Sequence, residues 1–197
     1  VFLDVLRARR SVRRFRDEPI GREILGRLVE AASWAPSASN RQDWEFVVVV
    51  SREVKAQLAA AVRERWRSLT DDGAVGEALG GYAHNFDWFA DAPAVVVVTA
   101  RAPEAFLSAL CGERAGRVAG AATAAAMAAQ NLMLAAQALG LGSCCLTGAL
   151  AAEDELSHVL GLGRRREIVC LVAVGHPDEF PEAPARKPVE QIMRIVE

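Results

Sequence analysis

The chain has 197 residues, of which 52% are hydrophobic and 24% charged, and its formal net charge is −2. That length supports a single domain, residues 1–197, with a sizeable core, and the composition excludes disorder. So balanced a charge supplies no global positive field for nucleic acid or an anionic membrane, so any anion site must be local.

A short apolar stretch (Val1, Phe2, Leu3, Val5, Leu6) leads into Arg9-Arg10-Ser11-Val12-Arg13. Guanidiniums grip phosphate through paired N–H donors, and a neighbouring hydroxyl adds another hydrogen bond. The cluster therefore suits a phosphorylated ligand, although the same residues also read as a solvated helix end. Between Gly21 and Ala35, the residues Ile24, Leu25, Leu28, Val29 and Ala32 form an amphipathic stripe, which predicts a helix flanked by Pro19 and Pro36. Pro36-Ser37-Ala38-Ser39-Asn40 then offers short polar side chains and backbone amides, and Gln42 and Trp44 add an amide and a ring. Trp44 to Val50 is rich in β-formers and predicts a buried strand. Ser51 is placed to cap a helix reaching about Leu69, which Thr70-Asp71-Asp72-Gly73 ends.

A short helix opened by Asn85 and ending near Ala90 precedes a strand from Ala94 to Thr99, and residues 101–115 read as a loop. An alanine-rich helix follows from Gly116 to Leu139, stopped by Gly140 and Gly142. A short strand at Ser143 to Leu146 runs into Thr147-Gly148, where a glycine lets backbone approach a planar group closely. A helix from Ala152 to Leu160 and a strand from Ile168 to Gly175 complete the core. The tail from His176 to Glu197 is proline-rich, carries the cations Arg186 and Lys187, and ends in an apolar patch suited to lying across another subunit. Together these elements predict an α+β fold with helices covering a small sheet.

The chain lacks a Gly-x-Ser-x-Gly elbow, a Walker A motif and a Gly-x-Gly-x-x-Gly after a strand, and no nucleophile–base pair stands out. No catalytic residue is assigned, and an enzyme with this sequence would need a cofactor to supply the reactivity. The four cysteines form no Cys-x-x-Cys and have no histidine at ligand spacing, so no metal site is expected and they read as free thiols in a reducing cytoplasm. The apolar stretch Ala119 to Leu141 owes its hydropathy mainly to alanine and includes Gln130, Asn131 and Gln137, so it reads as a core helix and not a membrane span. The start has no charged region followed by a long apolar run, so no secretory signal is expected.

Taken in order, these clusters resemble the nitroreductase family of FMN-dependent oxidoreductases. The resemblance is carried by R-R-S-V-R-R-F (Arg9 to Phe15), E-A-A-S-W-A-P-S-A-S-N-R-Q-D-W-E-F (Glu30 to Phe46), N-F-D-W-F-A-D-A-P (Asn85 to Pro93), A-A-Q-A-L-G-L-G-S-C-C-L-T-G (Ala135 to Gly148), and V-G-H-P with A-R-K-P near the end. It implies a three-layer sandwich with a central mixed sheet, and an intertwined homodimer with FMN at the interface. It also implies NAD(P)H as reductant and ping-pong hydride transfer to a nitroaromatic, quinone or related small-molecule acceptor.

By the same resemblance, Arg9, Arg10 and Ser11 would contact the FMN phosphate and ribityl chain, and Arg13 would stabilise charge at the flavin's pyrimidine edge. Pro36, Ser37, Ala38, Ser39, Asn40 and Gln42 would reach the flavin from the partner subunit. Asn85 would supply an amide contact, and Leu146, Thr147 and Gly148 a backbone edge near the reactive nitrogen. Arg186 or Lys187 would be a second phosphate cation. Two positions depart from the family pattern: Asp43 stands where Gln-Pro-Trp is usual, and Trp88 stands where a lysine is frequent. Trp88 could alter the flavin potential or roof the substrate pocket. Residues 63–73 are also similar to the flavin domain fused to deazaflavin-cofactor ligases. That keeps open a specialised flavin-dependent reductase, or a flavin-binding protein without turnover.

Overall fold

The computed structural model describes residues 2–71 and 86–197. In chain order its helices are α1 (Phe2–Ala8), α2 (Arg22–Ser33), α3 (Arg52–Thr70), α4 (Ala105–Cys111), α5 (Ala115–Ala119), α6 (Ala121–Ala138), α7 (Glu153–Val159) and α8 (Val189–Ile192). Its strands are β1 (Trp44–Val49), β2 (Ala94–Arg101), β3 (Gly142–Leu146) and β4 (Arg166–Gly175). Short 3₁₀ turns lie at Ala38–Asn40, Trp88–Asp91, Gly112–Arg114 and Gly148–Ala152.

Every residue of β2 from Ala94 to Ala100 is buried. Successive strand side chains point to opposite faces, so a strand without polar alternation needs cover on both sides. Val96, Val98, Val172 and Val174 pack with Leu28 of α2 and Leu132 of α6 on one face. Val95, Val97, Leu171 and Ala173 pack with Leu58 and Val62 of α3, Leu156 of α7 and Phe89 on the other. The result is the expected three-layer α+β arrangement.

The strand order is β1-β2-β4-β3, and each neighbouring pair is antiparallel. This corrects the expectation of a mixed sheet for the described strands. β4 enters between β2 and β3 and runs opposite to both, so the parallel contact here is an isolated bridge between Ser11 and Ser143.

Two further expectations change. The alanine-rich helix is divided into α5 and α6 at Gly120, whose φ of 71° is left-handed and interrupts the helical hydrogen bonds. Residues 101–115 hold α4 and a 3₁₀ turn instead of a plain loop. These helical pieces are too short, and too exposed, to show an apolar period in the sequence. In α6, alanines 121, 124, 125, 128, 129 and 136 are buried, which lets the helix approach the sheet and α2 closely.

Ser51 caps α3 as expected, its Oγ accepting the Val54 N–H at 3.3 Å. Lys55 is buried, and its Nζ donates to the Ala92 and Pro93 carbonyls, tying α3 to the turn before β2. Burial pushes the Lys55 pKa down, with Arg52 adding to the effect and Asp91 and Asp17 opposing it.

Leu132 is fully buried between α6 and the sheet. Leu132→Ala should cost about 2–5 kcal/mol, because it removes apolar contact and leaves a cavity; urea unfolding of both proteins measures the difference.

Candidate functional site

The basic N-terminal segment docks along β3. Val12 is buried, and its N–H donates to the Ser143 carbonyl at 3.1 Å. Gly142 makes room for it: a Cβ there would stand 2.8 Å from Val12 Cβ. Further along, the Arg16 N–H donates to the His176 carbonyl at 2.9 Å and the Asp178 N–H to the Arg14 carbonyl at 3.0 Å. Glu179 accepts from the Arg13 N–H at 2.6 Å, the Arg14 N–H at 3.3 Å and Arg14 Nε at 3.1 Å. The Arg13 N–H foremost, together with the Arg14 donors, holds the Glu179 carboxyl below the usual carboxylate range.

With Val12 turned inward, Ser11 and Arg13 fall on the opposite side of the extended segment. Ser11, Arg13 and Arg9 all act on the thiol of Cys144: burial raises its pKa, while the Arg13 charge, a Ser11 hydrogen bond and the Arg9 charge oppose the rise. The structure thus gathers Arg9, Ser11 and Arg13 beside β3, which leads directly into Leu146, Thr147 and Gly148. Arg10 behaves differently: its Nη1 donates to the Arg7 carbonyl at 2.6 Å and the Arg9 carbonyl at 2.8 Å, closing the end of α1.

The second polar set lies elsewhere in the same chain. Pro36, Ala38, Ser39, Asn40 and Gln42 are exposed, Ser37 is half-buried, and all precede β1, the edge strand opposite β3. Three strand spacings, about 14 Å, separate these two edges. The loop is held in an unusual shape. Ser39, Asn40 and Gln42 have φ of 53°, 53° and 50°, in the left-handed region that costs a non-glycine residue about 1–2 kcal/mol. Ser37 Oγ accepts the Gln42 N–H at 3.0 Å, and Gln42 Nε2 donates to Asn40 Oδ1 at 3.2 Å. Asp43 accepts from the Arg41 guanidinium at 2.8 Å, so this departure from the family pattern braces the loop.

Thr147 is exposed and Gly148 half-buried at the end of β3. Asn85 lies outside the described residues. Arg186 and Lys187 are exposed in the tail. Trp88 is half-buried and stacks against Phe15, with ring centroids 6.4 Å apart.

Four participants carried no readable sequence signal of their role. Glu179 organises the basic segment from 165 residues away. Trp66 of α3 donates its indole N–H to the Gly148 carbonyl at 2.9 Å. Cys145 is exposed, stands opposite Val172 in the β3–β4 register, and receives a hydrogen bond from Cys170, two residues along on the same face. That bond foremost, with the Arg9 charge assisting and burial opposing, brings the Cys145 pKa down to about 7. The strand register that places two sulfurs diagonally across β3 and β4 is set by pairing over a long sequence separation.

A model of the Nitroreductase family matches residues 6–176. The chain belongs to the nitroreductase family. Among curated relatives, 4-nitrobenzoate reductase of Nocardioides sp. is 27% identical over 227 residues, covering 95% of this chain and 86% of that protein. A Bacillus subtilis protein with the provisional name NAD(P)H nitroreductase YfhC is 28% identical over 193 residues, covering 96% and 91%. Among solved structures, a BluB-like flavoprotein from Clostridium difficile 630 superposes with a TM-score of 0.86 at 26% identity, covering 100% of this chain and 99% of its own. A nitroreductase with bound FMN from Bacteroides fragilis shares the fold at a TM-score of 0.76 and 24% identity, covering 100% and 98%.

In this nitroreductase-family protein, iodoacetamide labelling of Cys145 should follow thiolate formation, rising with pH to half its maximum near pH 7. An ordinary thiol reaches that point near about pH 8.5. Peptide mass spectrometry across a pH series reads the midpoint, and Cys170→Ala should move it upward.

Proposed function

We propose that this protein is an FMN-dependent oxidoreductase that accepts hydride from NAD(P)H and reduces a nitroaromatic, quinone or related conjugated acceptor in a ping-pong cycle. The observation that carries this reading is the gathering of Arg9, Ser11 and Arg13 on the edge strand that ends in Leu146-Thr147-Gly148. Among the described residues, neither the Arg9 nor the Arg13 guanidinium is paired with a carboxylate. Two cations and a hydroxyl without acidic partners fit a phosphate ester and an electron-rich ring edge. Family membership and the relative named 4-nitrobenzoate reductase support the same class of chemistry.

Bound there, FMN would supply reversible two-electron chemistry, with hydride as the transferred species. Arg9 and Ser11 would hold its phosphate and ribityl chain, with Arg10 closing α1 behind them. Arg13 would stand where negative charge develops on reduction, and a fixed cation in a site shielded from water stabilises that charge strongly. Leu146, Thr147 and Gly148 would offer backbone to the ring. No protein acid or base is required for hydride delivery.

The Pro36–Gln42 set would complete the site from a second copy of the chain, since its own copy holds it at the opposite sheet edge. Exposed apolar side chains support such a homodimer: Phe2, Leu3 and Leu6 of α1, Trp34 after α2, Met127 on α6, and Ile192, Ile195 and Val196 in the tail. In the dimer, the tail with Arg186 and Lys187 would lie across the partner. Light scattering on the purified protein should give twice the chain mass; a monomer at micromolar concentration overturns the two-copy site.

The purified protein should be yellow, and anaerobic NADH or NADPH should bleach it. Colourless protein that takes up no FMN sinks the reading. Bound flavin that neither nucleotide bleaches points instead to a specialised reductase with another donor. Arg9→Ala should weaken FMN binding by about tenfold to a hundredfold, since a charge-assisted hydrogen bond contributes about 1.5–3 kcal/mol; quenching of FMN fluorescence on titration measures it.

A further inference from the structure

Helix α3 grips the turn after β3 through two consecutive residues. Trp66 Nε1 donates to the Gly148 carbonyl at 2.9 Å, and Arg65 Nε donates to the Ala151 carbonyl at 3.1 Å. The Phe86 ring stacks on Trp66, with centroids 4.7 Å apart and planes 22° apart. The same ring closes on Gly148: a Cβ there would lie 2.1 Å from Phe86 Cδ1. Only glycine fits, and it is held by an indole at its carbonyl and a phenyl ring at its Cα. On the other side, the Leu150 N–H donates to the Thr147 carbonyl at 3.0 Å, and Leu146 pairs with Leu171 of β4.

So much restraint on one glycine exceeds what the turn itself needs. The 148–152 turn already has its own backbone hydrogen bond and its buried residues Ala149 and Ala152. Trp66 adds a side-chain donor 82 positions away in sequence, aimed at the carbonyl that sets the orientation of the adjoining peptide. That peptide, Gly148–Ala149, directly follows the Leu146–Gly148 backbone edge assigned above to the flavin.

We propose that Trp66 is a positioning residue for the flavin reaction: its indole N–H, donated to the Gly148 carbonyl, holds the Leu146–Gly148 backbone in the orientation that serves reduced FMN. This rests on the flavin reading above. Backbone donors stabilise developing charge only when they are already aligned, so that no reorganisation is needed as the charge forms. Freed from Trp66, the Gly148 carbonyl can rotate about the Cα–C bond, because a residue without a Cβ restricts its backbone torsions little. Oxidised FMN, with less charge at its edge, tolerates that loosening better than the reduced form does.

The test is Trp66→Phe in the FMN-loaded protein, which keeps a ring against Phe86 and removes the donor. Affinity for oxidised FMN should stay within about twofold of the parent, and affinity for reduced FMN should fall about tenfold. For a two-electron couple a tenfold change lowers the midpoint potential by about 30 mV. Anaerobic stopped-flow should show flavin reduction slowed several-fold with the KM for nicotinamide unchanged. Trp66→His, which retains a ring N–H, should restore part of the potential.

A Trp66→Phe protein with parental potential and reduction rate but a lower melting temperature shows a purely structural tryptophan and overturns the proposal. If Trp66→Phe sheds its flavin, Trp66→His decides: potential and flavin content recovered support the donor role, and neither recovered overturns it. Failure of the flavin reading itself shows separately, as parent protein that binds no FMN.

Discussion

The whole arrangement depends on β2 having no face that tolerates water. From Ala94 to Ala100 the strand is alanine and valine interrupted by the single buried Thr99, and such a run cannot sit at a sheet edge or beneath one layer of helices without exposing half its side chains. Burying a valine side chain contributes about 1.5–3 kcal/mol, so strands on both sides and helices on both faces follow together. Thr99 is accommodated because its Oγ1 donates to the Glu45 carbonyl at 3.2 Å, across the ladder to β1. With β1 and β4 committed to flanking β2, β3 becomes the far edge strand. Its open side is where the chain's N-terminal segment docks.

That docking gives the basic residues a fixed place. Without it, Arg9, Ser11 and Arg13 would be unanchored surface groups. Val12, sunk against Gly142, gives the segment one register, and the Ser143 and His176 carbonyls and the Glu179 carboxylate fasten it. Among the described residues, Arg9 and Arg13 are held beside β3 by apolar and backbone contacts and not by ion pairs. At the other end of β3, α3 fastens the Gly148 turn. One short strand thus carries a basic segment along its length and a restrained backbone edge at its tip, each secured by parts of the chain remote in sequence.

Much of this was legible in the residues. An apolar stripe located α2, the valine runs located β1, β2 and β4, and Ser51 marked the start of α3, which its hydroxyl does cap. The basic segment and Thr147-Gly148 stood out as candidate ligand contacts, and the structure brings Arg9, Ser11 and Arg13 to the strand that carries the second of them. Less legible was what lacks periodicity. α4 and the break at Gly120 involve too few residues to show a pattern, and the antiparallel sense of β3 depends on which gap β4 enters. The basic residues also look equivalent in sequence, yet Arg10 folds back onto α1 while Arg9 and Arg13 act on the Cys144 thiol.

By itself, the sequence determined the kinds of elements, their chain order, the need for a two-sided core and the residue types able to hold a phosphorylated cofactor. These follow from local rules: side-chain periodicity, capping, and the fixed chemistry of guanidinium and hydroxyl groups. Tertiary structure alone decided which of those residues meet. It placed Glu179 under Arg13, Cys170 beside Cys145 and Trp66 on Gly148, and it set the Pro36–Gln42 loop at the opposite sheet edge from Arg9. Such pairings depend on strand order and register, which arise from packing the whole apolar surface at once, and no short stretch of sequence encodes them.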